Sequence, residues 1–344
     1  MFFLRAKLLK KFEDSFKFVN ILTFFALFLK NFIKFAPMMT ITQLSAQEYF
    51  RTFPSPQHVY NSAPFLNLNA PKVSEIIHLC ITDGKPRLGL SIGRRADGSL
   101  HAPFSAPFSG FDFNRRQSAE TMLDAARALR QEFPGLRLTL PPAPYSTDMN
   151  ARSLLALTSA GARIAFADWN FHIPLEGQNY TDLLPSSAKN KLRLSLNSPL
   201  KLIPTNGAPL RAYEIIRRNR SQKGFPLRMS ADDVVQTTSG KRPPVRADFF
   251  VLTDESADIA AAMVYHPAPA IAQVIYWGND LELQSPGEAP MNLLAYLLAE
   301  HYQQRNFKVL DIGPSSSDGI PSPGLCNFKD SIGCIVTPKP TLIL

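Results

Sequence analysis

The sequence predicts a mixed α/β fold built twice over. Apolar runs of about four to eight residues, the length of a strand, alternate with longer segments of helical spacing. Tight-turn dipeptides separate the strands. The element order, three strands, helix, strand, helix, strand, occurs once in each half of the chain. Twenty-nine prolines among 344 residues argue against long uninterrupted helices, since each fixes φ and removes a donor.

In the first half, Glu75–Thr82 is an apolar run that ends at Asp83-Gly84, a hairpin pair. Residues 87–92 form the next strand, which stops at Asp97-Gly98, and 99–104 a short third. A helix follows over 118–133, where Met122, Leu123, Ala126, Leu129 and Phe133 recur at helical spacing. Then come a strand at 136–140, a helix at 151–160 stopped by Gly161, and a strand at 163–167.

The second half opens with helices at 187–196 and Pro209–Gln222. Strands at 248–253, 259–265 and 271–277 follow. The helix 291–305 places Leu293, Leu294, Leu297, Leu298 and Tyr302 on one face. A strand at 309–312, a short helix at 325–332 and a strand at 334–337 complete the repeat. The repeat is one of pattern, without sequence identity between the halves. It implies an extension at 1–38, one domain at 39–185 and a second at 186–344, with 175–187 crossing between them.

Residues 1–38 differ in composition. They contain ten of the 25 phenylalanines, and 26 of the 38 are Phe, Leu, Lys, Ile or Asn. Three readings compete. A signal peptide or anchor would use Lys7, Lys10 and Lys11 with the apolar stretch 19–29. No small-x-small cleavage site follows, and about 11 apolar residues do not span a bilayer. An amphipathic surface helix is the second reading. We favour the third, a natural start at Met38 or Met39 with the preceding residues outside the fold. The charge follows the same break. Residues 1–38 hold seven Lys/Arg against two Asp/Glu, so five of the nine net positive charges lie there and four on the other 306 residues.

Composition excludes several classes. With 45% apolar and 19% charged residues, the chain is neither disordered nor a coiled coil. No uninterrupted run of 18 apolar residues exists, so no stable membrane span is expected. Cys80, Cys326 and Cys334 form no CxxC pair, which favours a reduced, cytoplasmic setting. The six histidines lack ligand spacing, so no metal is expected.

Chemistry concentrates late in the chain. Asp311-Ile312-Gly313 ends a strand and leads into the loop 314–324, rich in Gly, Ser and Pro, with Ser315 and Ser316 near its start. Loops leaving the carboxyl ends of strands are favoured ligand positions, and hydroxyls and free N–H groups there hold polar or anionic groups. The plain alternative is an exposed loop. Phe328 and Lys329 follow on the short helix. A lysine there is most often solvated, although the neighbouring Phe328 places Lys329 near the edge of the core. Tyr276-Trp277-Gly278 closes a strand, either as packed aromatics or as the wall of a cleft. Arg217, Arg218 and Arg220 head the main basic cluster, with Lys189, Lys191 and Arg193 forming another. Guanidinium groups suit phosphate and carboxylate. The clusters lack interleaved aromatics, so DNA is not an expected partner.

Together these pieces resemble the FemAB/FemX-like aminoacyltransferases of the GNAT superfamily. The resemblance rests on the basic helix 187–196, the stretch 217–224, Ile259-Ala260-Ala261-Ala262, Tyr276-Trp277-Gly278, Leu310-Asp311-Ile312-Gly313 and the run from Gly324 through Phe328-Lys329 to Gly333. It covers 187–338 well. The first half is covered weakly, through Pro103-Phe104, Gly110-Phe111 and Pro141-Pro142-Ala143-Pro144-Tyr145. It implies two tandem GNAT-like domains. The function it implies is transfer of an acyl or aminoacyl group onto an amine, supported by Lys329 with Phe328 shaping the site. Arg217, Arg218, Arg220, Tyr276, Trp277, Asp311, Ser315 and Ser316 are the candidate substrate contacts. No bound cofactor is implied. Acyl-CoA or aminoacyl-tRNA would be the co-substrate, which makes tRNA a candidate partner beside a small-molecule or peptide substrate. Two departures bear on the donor. Pro286-Gly287-Glu288-Ala289-Pro290 replaces the pyrophosphate loop of acetyl-CoA enzymes, and the coiled-coil arm of several FemAB enzymes is missing. The alternative is a non-catalytic GNAT-fold module that binds a peptide, a sugar nucleotide or a lipid-linked cell-envelope intermediate.

Overall fold

The computed structural model describes residues 39–344 except 146, 147, 178, 226, 255 and 285–288. The expectations for residues 1–38 and for 286–288 therefore lie outside the described residues. The strands are β1 (Thr40–Leu44), β2 (Glu75–Thr82), β3 (Pro86–Arg94), β4 (Leu100–Ala102), β5 (Arg137–Thr139), β6 (Arg163–Pro174), β7 (Lys201–Pro204), β8 (Ala247–Thr253), β9 (Asp258–Ala268), β10 (Ile271–Asn279), β11 (Val309–Pro314), β12 (Ser316–Ser317), β13 (Ile320–Pro321) and β14 (Ile335–Ile343). The helices are α1 (Ala46–Thr52), α2 (Ala63–Asn69), α3 (Ala119–Glu132), α4 (Asp148–Ser159), α5 (Ser186–Leu196), α6 (Pro209–Gln222), α7 (Ala231–Thr238), α8 (Pro290–Gln303) and α9 (Pro323–Ser331).

Among the described residues twelve strands form one sheet in the order β1-β2-β3-β4-β5-β14-β6-β11-β10-β9-β8-β7, and β12 and β13 pair as a separate hairpin. Neighbours are antiparallel except β4 with β5 and β10 with β11. The order reads the same from both edges. Four antiparallel strands lead to a parallel pair, and the next strand comes from the other half. Thus β14, last in the chain, pairs with β5, while β6 of the first half pairs with β11. The two central strands also pair with each other. The sheet is therefore continuous across the 185/186 boundary drawn from the sequence.

Strand alternation sorts the helices into two layers. One face carries Ile77, Leu79, Leu90, Leu138 and Leu342 under α3 and α4. The same face carries Ala260, Ala262, Val264, Leu310 and Ile312 under α5 and α8. The opposite face carries Cys80 with Tyr49 and Phe53 from the α1 region, and Phe249, Val251, Ala261 and Met263 under α6 and α7. We call these the α8 face and the α6 face.

The extra elements have local causes. Ser45 and Glu48 form a capping box that starts α1, and Ser230 and Asp233 do the same for α7. These helices, with α2 and the edge strands β1 and β7, are eight residues or shorter and escape a periodicity search. Two strands run longer than the sequence suggests. The reading 163–167 extends to Pro174, because Asp168, Asn170 and His172 interrupt the apolar run yet all lie on the α6 face. The reading 334–337 becomes Ile335–Ile343 despite Pro338 and Pro340. Leu140 N donates to Pro340 O at 2.9 Å, so Pro340 turns its donor-less nitrogen toward β5. Pairing with β5 begins only at Thr341, so no rung is lost there.

Candidate functional site

The site grows from one interruption in the sheet. β10 and β11 run parallel for three rungs, Ile271 opposite Val309, Ala272 opposite Leu310 and Gln273 opposite Asp311. Beyond Gln273, β10 continues to Asn279 against β9 alone. β11 instead passes through a bulge between Asp311 and Gly313 and follows β6. Gly313 makes the turn with φ +76°, a conformation open to glycine and costly for other residues. Two parallel strands thus part at their carboxyl ends, where α/β sheets commonly take ligands.

A buried polar network closes the vertex on the α6 face. Gln273 Nε2 donates to Asp311 Oδ2 at 2.8 Å, and the Tyr145 hydroxyl donates to the same oxygen at 2.7 Å. Asn170 Nδ2 and the Gly313 N–H donate to Oδ1, both at 2.9 Å. The Tyr60 hydroxyl donates to Gln273 Oε1. Asp311 is fully buried, and all four acceptor positions of its carboxylate are occupied. It therefore braces the vertex from beneath. Burial pushes the Tyr60 and Tyr145 hydroxyls well above the ordinary tyrosine range, with Asp311 adding to the effect, so both remain donors. Both tyrosines come from the first half, so the vertex of the second half is built by the whole chain. His172 stands opposite Asp311 on β6. Burial lowers its pKa, and its buried Nδ1 has no hydrogen-bond partner among the described residues.

Lys329 lies on the α8 face. It is 4% exposed, and its Nζ donates to the carbonyls of Ile312, Gly313 and Pro314 at 3.1, 2.8 and 3.0 Å. The Phe171 ring lies beneath it at 5.4 Å. Burial pushes its pKa down to about 8, opposed by Cys334 and Asp311. The ammonium holds three successive carbonyls of the turning strand, and all three of its N–H bonds are in use. Phe328 contacts the Trp277 ring edge-on at 5.9 Å, so an aromatic pair spans the gap between the free arm of β10 and α9.

The sheet separates residues grouped from the sequence. Tyr276 packs into the α6-face core and Trp277 against the α8-face core. Arg220 lies over the Tyr276 ring at 5.7 Å, and Arg218 pairs with the buried Asp280 at 3.0 Å. Arg217 pairs with Glu214 in solvent at 2.7 Å. These arginines are therefore away from Lys329, Phe328 and Trp277. Ser315 Oγ is buried without a hydrogen-bond partner among the described residues. Ser316 Oγ donates to Asp168 Oδ1 at 2.8 Å and accepts from Trp169 N at 2.8 Å, which makes it an anchor of the β12–β13 hairpin. Sequence reasoning does not single out Tyr60, Asn170, His172 or Gln273. The available signal is a polar side chain inside a strand, as at Gln273 and Asn170. No group of three or more His, Cys, Asp or Glu suited to a metal occurs among the described residues, and no described helix is long and apolar enough to cross a membrane.

Comparison of the whole chain with known structures gives its architecture a place. It superposes on FemX with a TM-score of 0.60 at 11% identity, covering 88% of this chain and 97% of that one. For the C-terminal domain of a putative lysylphosphatidylglycerol synthetase from Agrobacterium fabrum the TM-score is 0.55 at 11% identity, with 87% and 92% covered. For L-PGS from Bacillus licheniformis it is 0.52 at 12% identity, with 88% and 92% covered. No protein-family model matches the sequence, and no curated protein matches it by sequence. The fold is FemX-like, as the resemblance implied.

Proposed function

We propose that this protein is an acyl- or aminoacyltransferase that acts on an amine, with the donor's carbonyl seated where β10 and β11 part. One observation carries the reading. The parallel pair ends abruptly at Gln273 and Asp311, with a braced polar vertex on one face and a buried ammonium behind the turning strand on the other. In the reaction a neutral amine attacks the carbonyl carbon of a thioester or ester. The C–N bond forms, the C–S or C–O bond breaks, and the amine proton leaves with the departing thiol or hydroxyl. The protein positions the reactants and supplies charge. Lys329 acts through its field and through the three carbonyls it holds, which fix the strand edge against which a donor would lie. Trp277 and Phe328 wall the opening and exclude water.

A second reading is favoured by the same lysine. With all three N–H bonds spent on backbone carbonyls, Lys329 also suits a non-catalytic module that binds a peptide, a sugar nucleotide or a lipid-linked cell-envelope intermediate. The test is a thermal-shift screen of the full chain against acyl-CoA species and aminoacyl-tRNA. Stabilisation by one donor class, lost in Trp277→Ala/Phe328→Ala, is expected. Absence of a response to both classes would count against the enzyme reading.

A further inference from the structure

The sheet repeats its split in the first half, and there the chemistry is reversed. β4 and β5 run parallel with His101 opposite Arg137 and Ala102 opposite Leu138. In the second half the corresponding Ala–Leu rung is Ala272 opposite Leu310. One step further on, Thr139 therefore occupies the place of Asp311. The buried carboxylate of one vertex is a hydroxyl in the other.

Around Thr139 the α6 face opens into a pocket of about 190 Å³, lined among others by Arg95, His101, Arg137, Thr341, Asp168 and Lys339. Among the lining residues two arginines and one lysine face a single carboxylate, Asp168, and with Asp318 paired to Arg137 outside the lining one positive charge remains in surplus. The Asp168 carboxylate is committed. Asp168 accepts from Ser316 Oγ at 2.8 Å and Gly319 N at 3.2 Å, and pairs with Lys339 at 3.4 Å. Lys339 is nine-tenths buried. Arg137 is held over the Phe166 ring at 5.1 Å and reaches the exposed Asp318 at 3.5 Å, so its guanidinium is oriented while keeping donors to spare. Thr139 Oγ1 and Thr341 Oγ1 lie 2.8 Å apart. Two hydroxyls sharing one bond leave one O–H to give elsewhere. The His101 pKa is lowered by burial and by the charges of Arg95 and Arg137, which marks the positive field at this point.

We propose that this pocket is a phosphate-binding site, taking the phosphate monoester or diphosphate end of a small molecule. A phosphate group matches the sign of the charge surplus. Its tetrahedral oxygens can take the Arg95 and Arg137 guanidinium groups, the Lys339 ammonium and the threonine hydroxyl from separate directions, whereas a carboxylate offers only two oxygens in one plane. The inference does not depend on the acyl-transfer reading. The pocket lies at the other split, so loss of one leaves the other standing.

The test uses the full chain with inorganic phosphate and pyrophosphate as probes, and acetate and chloride at matched ionic strength as comparators. Binding is read by calorimetry and by the His101 ring resonances across a pH titration. Saturable binding of phosphate or pyrophosphate, with a rise in the His101 pKa, is expected. Arg95→Gln/Arg137→Gln should weaken binding at least tenfold while leaving the folded spectrum and any donor response at the β10–β11 split intact. Equal effects of acetate or chloride, a His101 pKa unmoved by phosphate, or undiminished binding by the double variant would overturn the proposal.

Discussion

Gln273 Nε2 donates to Asp311 Oδ2 at 2.8 Å across the last rung that β10 and β11 share. Past that bond the strands separate, so it is the point at which a continuous sheet becomes a cleft. Asp311 receives three further donors there, from Tyr145, Asn170 and Gly313. Replacing one carboxylate oxygen by an amide group turns a donor against donors. Asp311→Asn should lower stability by about 1–3 kcal/mol, the usual cost of an unsatisfied buried polar group. Urea unfolding at neutral pH measures it. An unchanged midpoint would mean that the network does not brace the vertex.

The free arm of β10 is pressed against α6. A Cβ at Gly278 would lie 2.5 Å from Asn219 Cγ, and Asn219 Nδ2 donates to Asn279 O at 2.6 Å. Gly278→Ala should therefore displace the helix and cost about 1–3 kcal/mol, as overpacking does. The expected observation is a lowered unfolding midpoint, with the Arg220–Tyr276 contact loosened and read as a change in tyrosine fluorescence.

Gly313 and Gly324 offer a contrast. A methyl group at either position would meet no atom within 4 Å, but Gly313 has φ +76° and Gly324 lies in α9. Gly313→Ala should cost about 1–2 kcal/mol through backbone strain alone. Gly324→Ala should be neutral or slightly stabilising. Equal effects in a paired thermal melt would show that the turn conformation carries no strain.

His58 is buried among aromatic rings, and burial lowers its pKa to about 4. Between that value and the ordinary 6.5 the unfolded chain binds a proton that the native protein does not. Stability must therefore fall as pH drops from about 6.5 to 4. Asp112, raised by burial to about 6, works in the opposite direction over much of the same range, because its native form holds the extra proton. His58→Phe should remove the His58 contribution. The stability difference between wild type and variant should shift by up to about 3 kcal/mol in favour of the variant on acidification. A pH-independent difference would show that His58 does not stay neutral in the native state.

The repeated element order was legible because strands such as Glu75–Thr82 and helices such as Pro209–Gln222 are long and periodic. The FemX-like fold was implied by the resemblance carried by the residues around Asp311 and Lys329. The exchange of β6 and β14 between halves was not legible. A strand's partner is set by tertiary packing, and the prolines of β14 and the polar residues of β6 hid how far each strand runs. The site was legible in part for a related reason. Asp311, Trp277, Phe328 and Lys329 lie close together in sequence patterns, but a pleat sends neighbours such as Tyr276 and Trp277 to opposite faces. Tyr60 and Tyr145 reach the vertex from more than a hundred residues away, which local pattern cannot reveal.

Single-turnover amide formation tests the central claim most directly. The full chain and Lys329→Met are incubated with a donor that stabilises the protein and with free amines, namely lysine, glucosamine and a short peptide, and new amide is read by mass spectrometry. Acyl transfer at this site predicts amide with the wild type and a loss of about a hundredfold in the variant, the scale of one lost electrostatic contact in a transition state, while the donor still raises its melting temperature. A donor that binds tightly yet yields no amide, or an undiminished yield from Lys329→Met, would contradict it.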